Sequence, residues 1–212
     1  MFGRVRCGDK RELDTLASSV IDPPRPTTAF DPAVQLPHLR ALCGVIDELV
    51  ERPAVALRTP APAISGWTAE QQIAHVALAN ELVVRNLRSL ARGSGALVVP
   101  GGEPIPAAIP MLVAGRIPRG RAQSPRMVRP PAEFDRELLL RWIADDRREI
   151  ESLDPASIVA NGLCVPHQLL GPLDAPRWLR FAVVHTRHHL EIAFDVLRAI
   201  DAGAAQPELP LI

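Results

Sequence analysis

Tyrosine is absent from this 212-residue chain, and aromatic residues make up only 4% of it. A tyrosyl general acid is therefore excluded, and rings for a platform that stacks nucleobases are scarce. Charge of one sign is missing too. Twenty-four Lys and Arg balance 24 Asp and Glu, and no basic arm or stripe stands out, which argues against a nucleic-acid partner. No run approaches the ~18 consecutive apolar residues of a membrane span, so no membrane partner is expected. Cys7, Cys43 and Cys164 are odd in number, far apart and without a C-x-x-C pair. That rules out a disulfide framework and points to a reducing cytoplasm. The opening MFGRVRCGDKRELD has no apolar segment of the signal-peptide kind.

What is present is helical periodicity. Hydrophobic residues are 47% of the chain, enough for one ordinary core. Residues 1–30 mix charge with PPRPTT and read as a loosely held N-terminal extension, with room for a short helix at 10–20. From Asp31, a credible N-cap before Pro32, a helical pattern begins. Pro37 disturbs its register, so the firm part is expected from Pro37 to Arg52. After a linker, RTPAPAISG, Thr68 and Gln71 form a capping box for a second helix, which Gly93 and Gly95 end. Leu78 and Leu82 lie opposite its stripe of Ile73, Ala77, Val84 and Leu87, so burial on both sides is expected. A third helix is expected over 132–153, with DDRRE facing water. A fourth is expected over 175–202, capped by Asp174, with Trp178, Phe181, His185, Ile192, Val196 and Ala199 on one stripe. Four substantial helices and no convincing strand run make an all-α bundle, its irregular segments leaving room for one short strand pair. The tail after residue 205 is expected to lie extended on the surface.

Residues 93–132 hold eight prolines, which excludes a long helix. This loop carries Arg116, Arg119, Arg121, Arg126 and Arg129. The ordinary reading is a solvated loop. The functional reading is a lid that brings arginines, Arg116 and Arg119 first, to an anionic ligand.

Three of the six histidines fall within VVHTRHHLEIAF. His185 and His189, four apart on a helix, lie one turn above another and can present two imidazoles to one divalent metal. His188 competes for the second place, about 60° to the other side of His185 by helical spacing. A third ligand must come from another helix, and His75 in WTAEQQIAHV is the best candidate. The plain alternative is that each is a hydrogen-bonded core histidine.

At these residues the chain resembles the DinB/YfiT-like superfamily of metal-binding four-helix proteins. WTAEQQIAHV looks like that family's W-[ST]-x-x-[EQ]-x-x-x-H opening of the second helix, carried by Trp67 and His75. HTRHH looks like its H-x-x-x-H on the last helix, carried by His185 and His189. PHQLLGPLDAPRWLRFAVVHTRHHL resembles an uncharacterised DinB-like branch through His167, Gly171, Trp178, His185 and the run from His188 to Leu190. The resemblance spans about residues 35–202. Gln168 departs from it where that branch has proline, and Leu190, Glu191 and Ile192 depart from the R-G-Q that often follows the last ligand.

The resemblance implies an up-down-down-up bundle over residues 31–205 with a tail at 206–212. It implies a metal centre of His75, His185 and His189, favouring His189 over His188. Zinc is the default, with nickel or iron suiting imidazole as well. Relatives use the metal to activate a low-molecular-weight thiol for transfer, or are labelled metal-dependent hydrolases. A small-molecule substrate is implied, and homodimers are frequent among similar proteins. His188 ranks first as a general base, ahead of Glu81, Glu191 and Asp195, its plain alternative being a half-exposed surface histidine. His167, after a proline in a loop that could cover the pocket, is the second catalytic candidate, its plain alternative being a brace for that loop. Cys164 lacks an activating partner and reads as structural. A third reading is a non-catalytic bundle that binds a partner or a small apolar ligand.

Overall fold

The computed structural model describes residues 28–120, 123–201, 203 and 206–212. The short helix expected at 10–20, most of the N-terminal extension, Cys7 and Arg121 lie outside the described residues. After a 3-10 turn at Thr28–Phe30, the elements are α1 (Pro32–Val50), α2 (Ala54–Arg58), α3 (Ala69–Arg92), β1 (Val99–Pro100), α4 (Ala108–Ala114), α5 (Arg136–Glu151), β2 (Leu163–His167), β3 (Gly171–Leu173) and α6 (Ala175–Ile200). The chain is mostly helical. α3 and α6 share the most extensive interface, α1 packs on α6 and α5, and α5 packs on α3. Among the described residues no helix is long and apolar enough to cross a membrane.

Caps set the helix starts. Asp31 accepts from the Ala33 N–H at 2.9 Å and Pro32 occupies the first turn, so α1 begins there and not at Pro37. The helix runs on through Pro37, which lacks only the N–H that would reach the Ala33 carbonyl one turn back. Thr68 and Gln71 form the reciprocal capping box at the head of α3, and left-handed Gly93 ends that helix. α5 starts at Arg136, later than the expected residue 132, because Asp135 caps it by accepting from the Leu138 N–H at 2.6 Å. α6 stops at Ile200, and Ala199, expected on the inner stripe, is exposed.

Leu36, Leu39, Leu42 and Leu49 of α1 are wholly buried against Ile73, Leu139, Ile150 and Leu179 of the other long helices. Each such side chain contributes about 1.5–3 kcal/mol relative to exposure. Leu78 and Leu82 are only half-buried, so the second side of α3 is less enclosed than its pattern implies. Within DDRRE, Asp145 and Arg148 meet water, but Asp146 is 4% exposed and belongs to the core. It falls on the same face of α5 as Leu139, Ile143 and Ile150.

The irregular segments form a small antiparallel sheet in the order β1-β2-β3. Val99 pairs with Cys164, and His167 with Gly171. Trp178 of α6 donates its indole N–H to the Val165 carbonyl at 3.1 Å, fastening the sheet to the helices. Among its described residues, loop 93–132 contains no long helix, only β1, α4 and a 3-10 turn at Arg126–Val128. Buried Arg180 holds α4 down, its Nε donating to the Leu112 carbonyl at 2.8 Å and its Nη1 to Gln35 Oε1 at 2.9 Å. Residues 206–212 carry no helix or strand. Leu209 and Ile212 pack against the core, and Arg187 donates to the Pro210 carbonyl at 2.7 Å.

Candidate metal centre

The interface of α3 and α6 brings His75 together with His185 and His189, and each ring offers an atom within 4.8 Å of those of the others. Ring centroids are 5.0 Å apart for His75 and His185, 4.4 Å for His75 and His189, and 4.5 Å for His185 and His189. His75 Nδ1 lies 2.7 Å from the Val128 carbonyl. A carbonyl only accepts, so Nδ1 carries the proton and Nε2 presents its lone pair. His189 Nδ1 lies 2.6 Å from Gln72 Oε1, which orients that ring in the same way. Gln72 is itself set by its amide, which donates to Ser65 Oγ at 2.9 Å. His185 Nε2 stands 3.2 Å from His75 Nε2, while its Nδ1 is buried without a hydrogen-bond partner.

Burial lowers the pKa of all three rings. For His185 and His189 the fall is large, and the neighbouring imidazoles add to it. All three are neutral near pH 7, the form in which imidazole binds a metal. Two Nε2 lone pairs fixed by outer hydrogen bonds, beside a third ring with one nitrogen facing them, fit a divalent cation. Without one, the contact between His75 and His185 is an ordinary hydrogen bond and His185 Nδ1 still has no partner. Trp67 shields the group, its ring 5.0 Å from His75, and Phe181 lies 5.0 Å from His185.

Two clefts meet at this cluster. One, about 620 Å³, is bordered by Trp67, Arg119, Arg129, His188 and His189. The other, about 320 Å³, is bordered by Met111, Ile117, Leu169, Phe181, His185 and His189. Gly120, Gln123, Ser124, His188 and His189 line both.

The remaining expected residues divide. His188 is half-buried with its ring 5.1 Å from His189, and burial and Arg119 lower its pKa. Arg119 reaches the first cleft while paired to Asp195 at 2.7 Å. Arg116 is exposed beyond α4 and borders neither cleft. His167 is half-buried, and its Nδ1 accepts from the N–H groups of Leu169 and Leu170, so the ring braces its own turn. Glu81, Glu191 and Asp195 are each in an ion pair, with Arg85, with Arg187, and with Arg119 and Arg198. Cys164 is buried and its pKa raised, mainly by that burial. The residues that sequence reasoning missed are Gln72, Ser65 and Val128. Gln72 had a signal, since it stands three before His75 and so faces the same way on α3.

The sequence matches the DinB superfamily over residues 38–193. No curated protein and no solved structure matches the chain.

Proposed function

The chain belongs to the DinB superfamily, and from that premise we propose that it is a metal-dependent enzyme that transfers a low-molecular-weight thiol to a small electrophile. In this reading His75, His185 and His189 hold one divalent cation, zinc by default and nickel or iron as alternatives. The cation supplies the charge that lowers the pKa of a thiol or water that it binds. The observation that carries the reading is the meeting of two unlike clefts at one cluster. Arg119, with Arg129 beside it, binds the anionic end of the thiol. The apolar walls from Met111 to Phe181 exclude water and hold the electrophile. Arg116, farther out, steers the anion without touching it.

Hydrolysis at the same centre is the second reading. It needs a general base, and with Glu81, Glu191 and Asp195 tied in ion pairs, His188 is the group left for that role. Transfer needs no such base once the thiol is deprotonated, which is why it ranks first. The proposal includes an up-down-down-up bundle at residues 31–205 between an extension at 1–30 and a tail at 206–212. It also includes a cytoplasmic setting, a small-molecule substrate and a homodimer.

Metal analysis of protein purified without a His-tag, beside His75→Ala and His189→Ala, tests the centre. Stoichiometric metal lost in both variants is expected, and metal retained in both overturns it. A metal-free wild type would leave a helical protein that binds a partner or ligand. Thiol transfer to a chlorinated aromatic acceptor, run with each candidate thiol, then tests the reaction. Metal-dependent turnover of esters or amides without added thiol would replace transfer by hydrolysis.

A further inference from the structure

His167 ends β2, where the chain turns toward β3. Its Nδ1 accepts from the N–H of Leu169 at 3.1 Å and of Leu170 at 3.2 Å. A backbone N–H only donates, so the proton of the neutral ring sits on Nε2. Trp178 and Phe181, with ring centroids 5.4 and 4.6 Å away, hold the ring in place. Burial pushes its pKa down to about 4, so near neutral pH it neither gains nor releases a proton.

Nε2 has no hydrogen-bond partner among the described residues and is not a buried orphan. His167 borders the 320 Å³ cleft of the imidazole cluster and a further cleft of about 280 Å³ walled by Leu82, Leu97, Met127 and Val165. His185 and Phe181 border both. Gln168, the neighbouring amide, donates to the Gln123 carbonyl at 3.4 Å. A donor of fixed tautomer therefore stands between two mainly apolar spaces beside His185.

We infer that the Nε2–H of His167 is the directional contact for a carbonyl oxygen on an apolar small molecule bound next to His185. Apolar walls attract without orienting, whereas a fixed N–H in such walls selects an acceptor and sets its direction. His167 then acts as a hydrogen-bond donor to the substrate, with no acid–base role. The inference rests on the proposed enzymatic reading for the place of the reactive centre, but its test reads binding alone.

The probes are acetophenone and α-methylstyrene, equal in shape, with C=O replaced by C=CH2. Wild-type protein is expected to bind acetophenone about five-fold more tightly, the factor of one net hydrogen bond. The Oδ1 of His167→Asn can accept the same two loop N–H groups while nothing replaces Nε2–H, so the preference should vanish with the fold intact. His167→Gln, which restores an N–H near Nε2, should keep the preference and decides the matter if His167→Asn fails to fold. Nitrogen-15 spectra of the wild-type ring should show Nε2 protonated and Nδ1 bare. A protonated Nδ1, equal wild-type affinities, binding of neither probe, or a preference surviving in His167→Asn would each overturn the inference. Metal content of the same samples separates the two claims. A metal-free protein that prefers acetophenone fails the enzymatic reading only, and a metal-loaded one without preference fails this inference only.

Discussion

Replacing Asp146 by asparagine should make the protein more stable, increasingly so as pH rises. Asp146 is 4% exposed, its Oδ2 accepts from Asn80 Nδ2 at 3.3 Å, and its Oδ1 has no partner. Burial is the main force on the carboxyl and the Asn80 contact only partly opposes it, while Glu81 and Glu149 push the same way as burial. The pKa rises from 3.8 to about 8. An acid whose pKa rises on folding keeps its proton in the native state where the unfolded chain has lost it. Stability then falls as pH climbs through that interval and levels off above it. The slope is about 1.4 kcal/mol per pH unit. Asparagine copies the protonated acid and does not titrate. The advantage of Asp146→Asn should therefore grow by roughly 3–4 kcal/mol between pH ~5 and pH ~8. The assay is urea unfolding of both proteins, stripped of metal, at unit steps of pH. The imidazoles of the cluster, with lowered pKa values, tilt stability the opposite way in acid. They do so equally in both proteins, so the difference isolates Asp146. Parallel profiles would show that its carboxylate is solvated and that the reasoning from burial is wrong.

Three further outcomes are expected. Gln72→Ala removes the acceptor on His189 Nδ1 and should weaken metal binding about 10- to 100-fold, read by competition with a chromogenic chelator; unchanged affinity would show that Gln72 does not orient the ring. Zinc at about 100 times its dissociation constant should stabilise the wild type by about 2.7 kcal/mol in calorimetry, and His75→Ala should abolish the gain; an equal gain in the variant would place zinc elsewhere. Gly171→Ala forces an L side chain into φ 77° with its Cβ 3.2 Å from the Ile105 amide, which should cost at least ~1–2 kcal/mol and loosen the His167 turn, seen as a lower melting temperature; unchanged melting would mean that the turn is not strained.

The legible part of the chain is the part governed by local spacing. Thr68 with Gln71, Asp174 and Gly93 each act on backbone groups within a few residues, so the ends of α3 and the start of α6 can be read directly. The four-residue step from His185 to His189 is local in the same sense. Pairing that step with His75 needs the packing of α3 on α6, which periodicity hints at and family resemblance strengthens. The tautomer controls are less legible. His75 is held by the Val128 carbonyl 53 residues away, and a backbone carbonyl leaves no trace in residue type. Asp146 fails for another reason. Residue type puts DDRRE in water, but the steps of four, three and four through Leu139, Ile143, Asp146 and Ile150 trace the buried face of α5. Period outranks chemistry there, and the carboxyl is carried inward by its neighbours.

The same contrast separates the histidine cluster from the clefts beside it. His75, His185 and His189 sit on two long helices whose stripes fix their direction within a turn. The groups that line the clefts beside them sit on the loop and at a strand end: Arg119, Gln123 and Ser124 in the proline-rich loop, and His167 where β2 turns toward β3. Their directions depend on single turns and on long-range ties such as Arg180 to the end of α4. The helices can therefore keep a constant cluster while the loops choose what enters beside it. Changing the turn around Gly171 should then alter selection among small molecules far more than metal affinity. Equal loss of both would mean that loop and cluster are one cooperative unit.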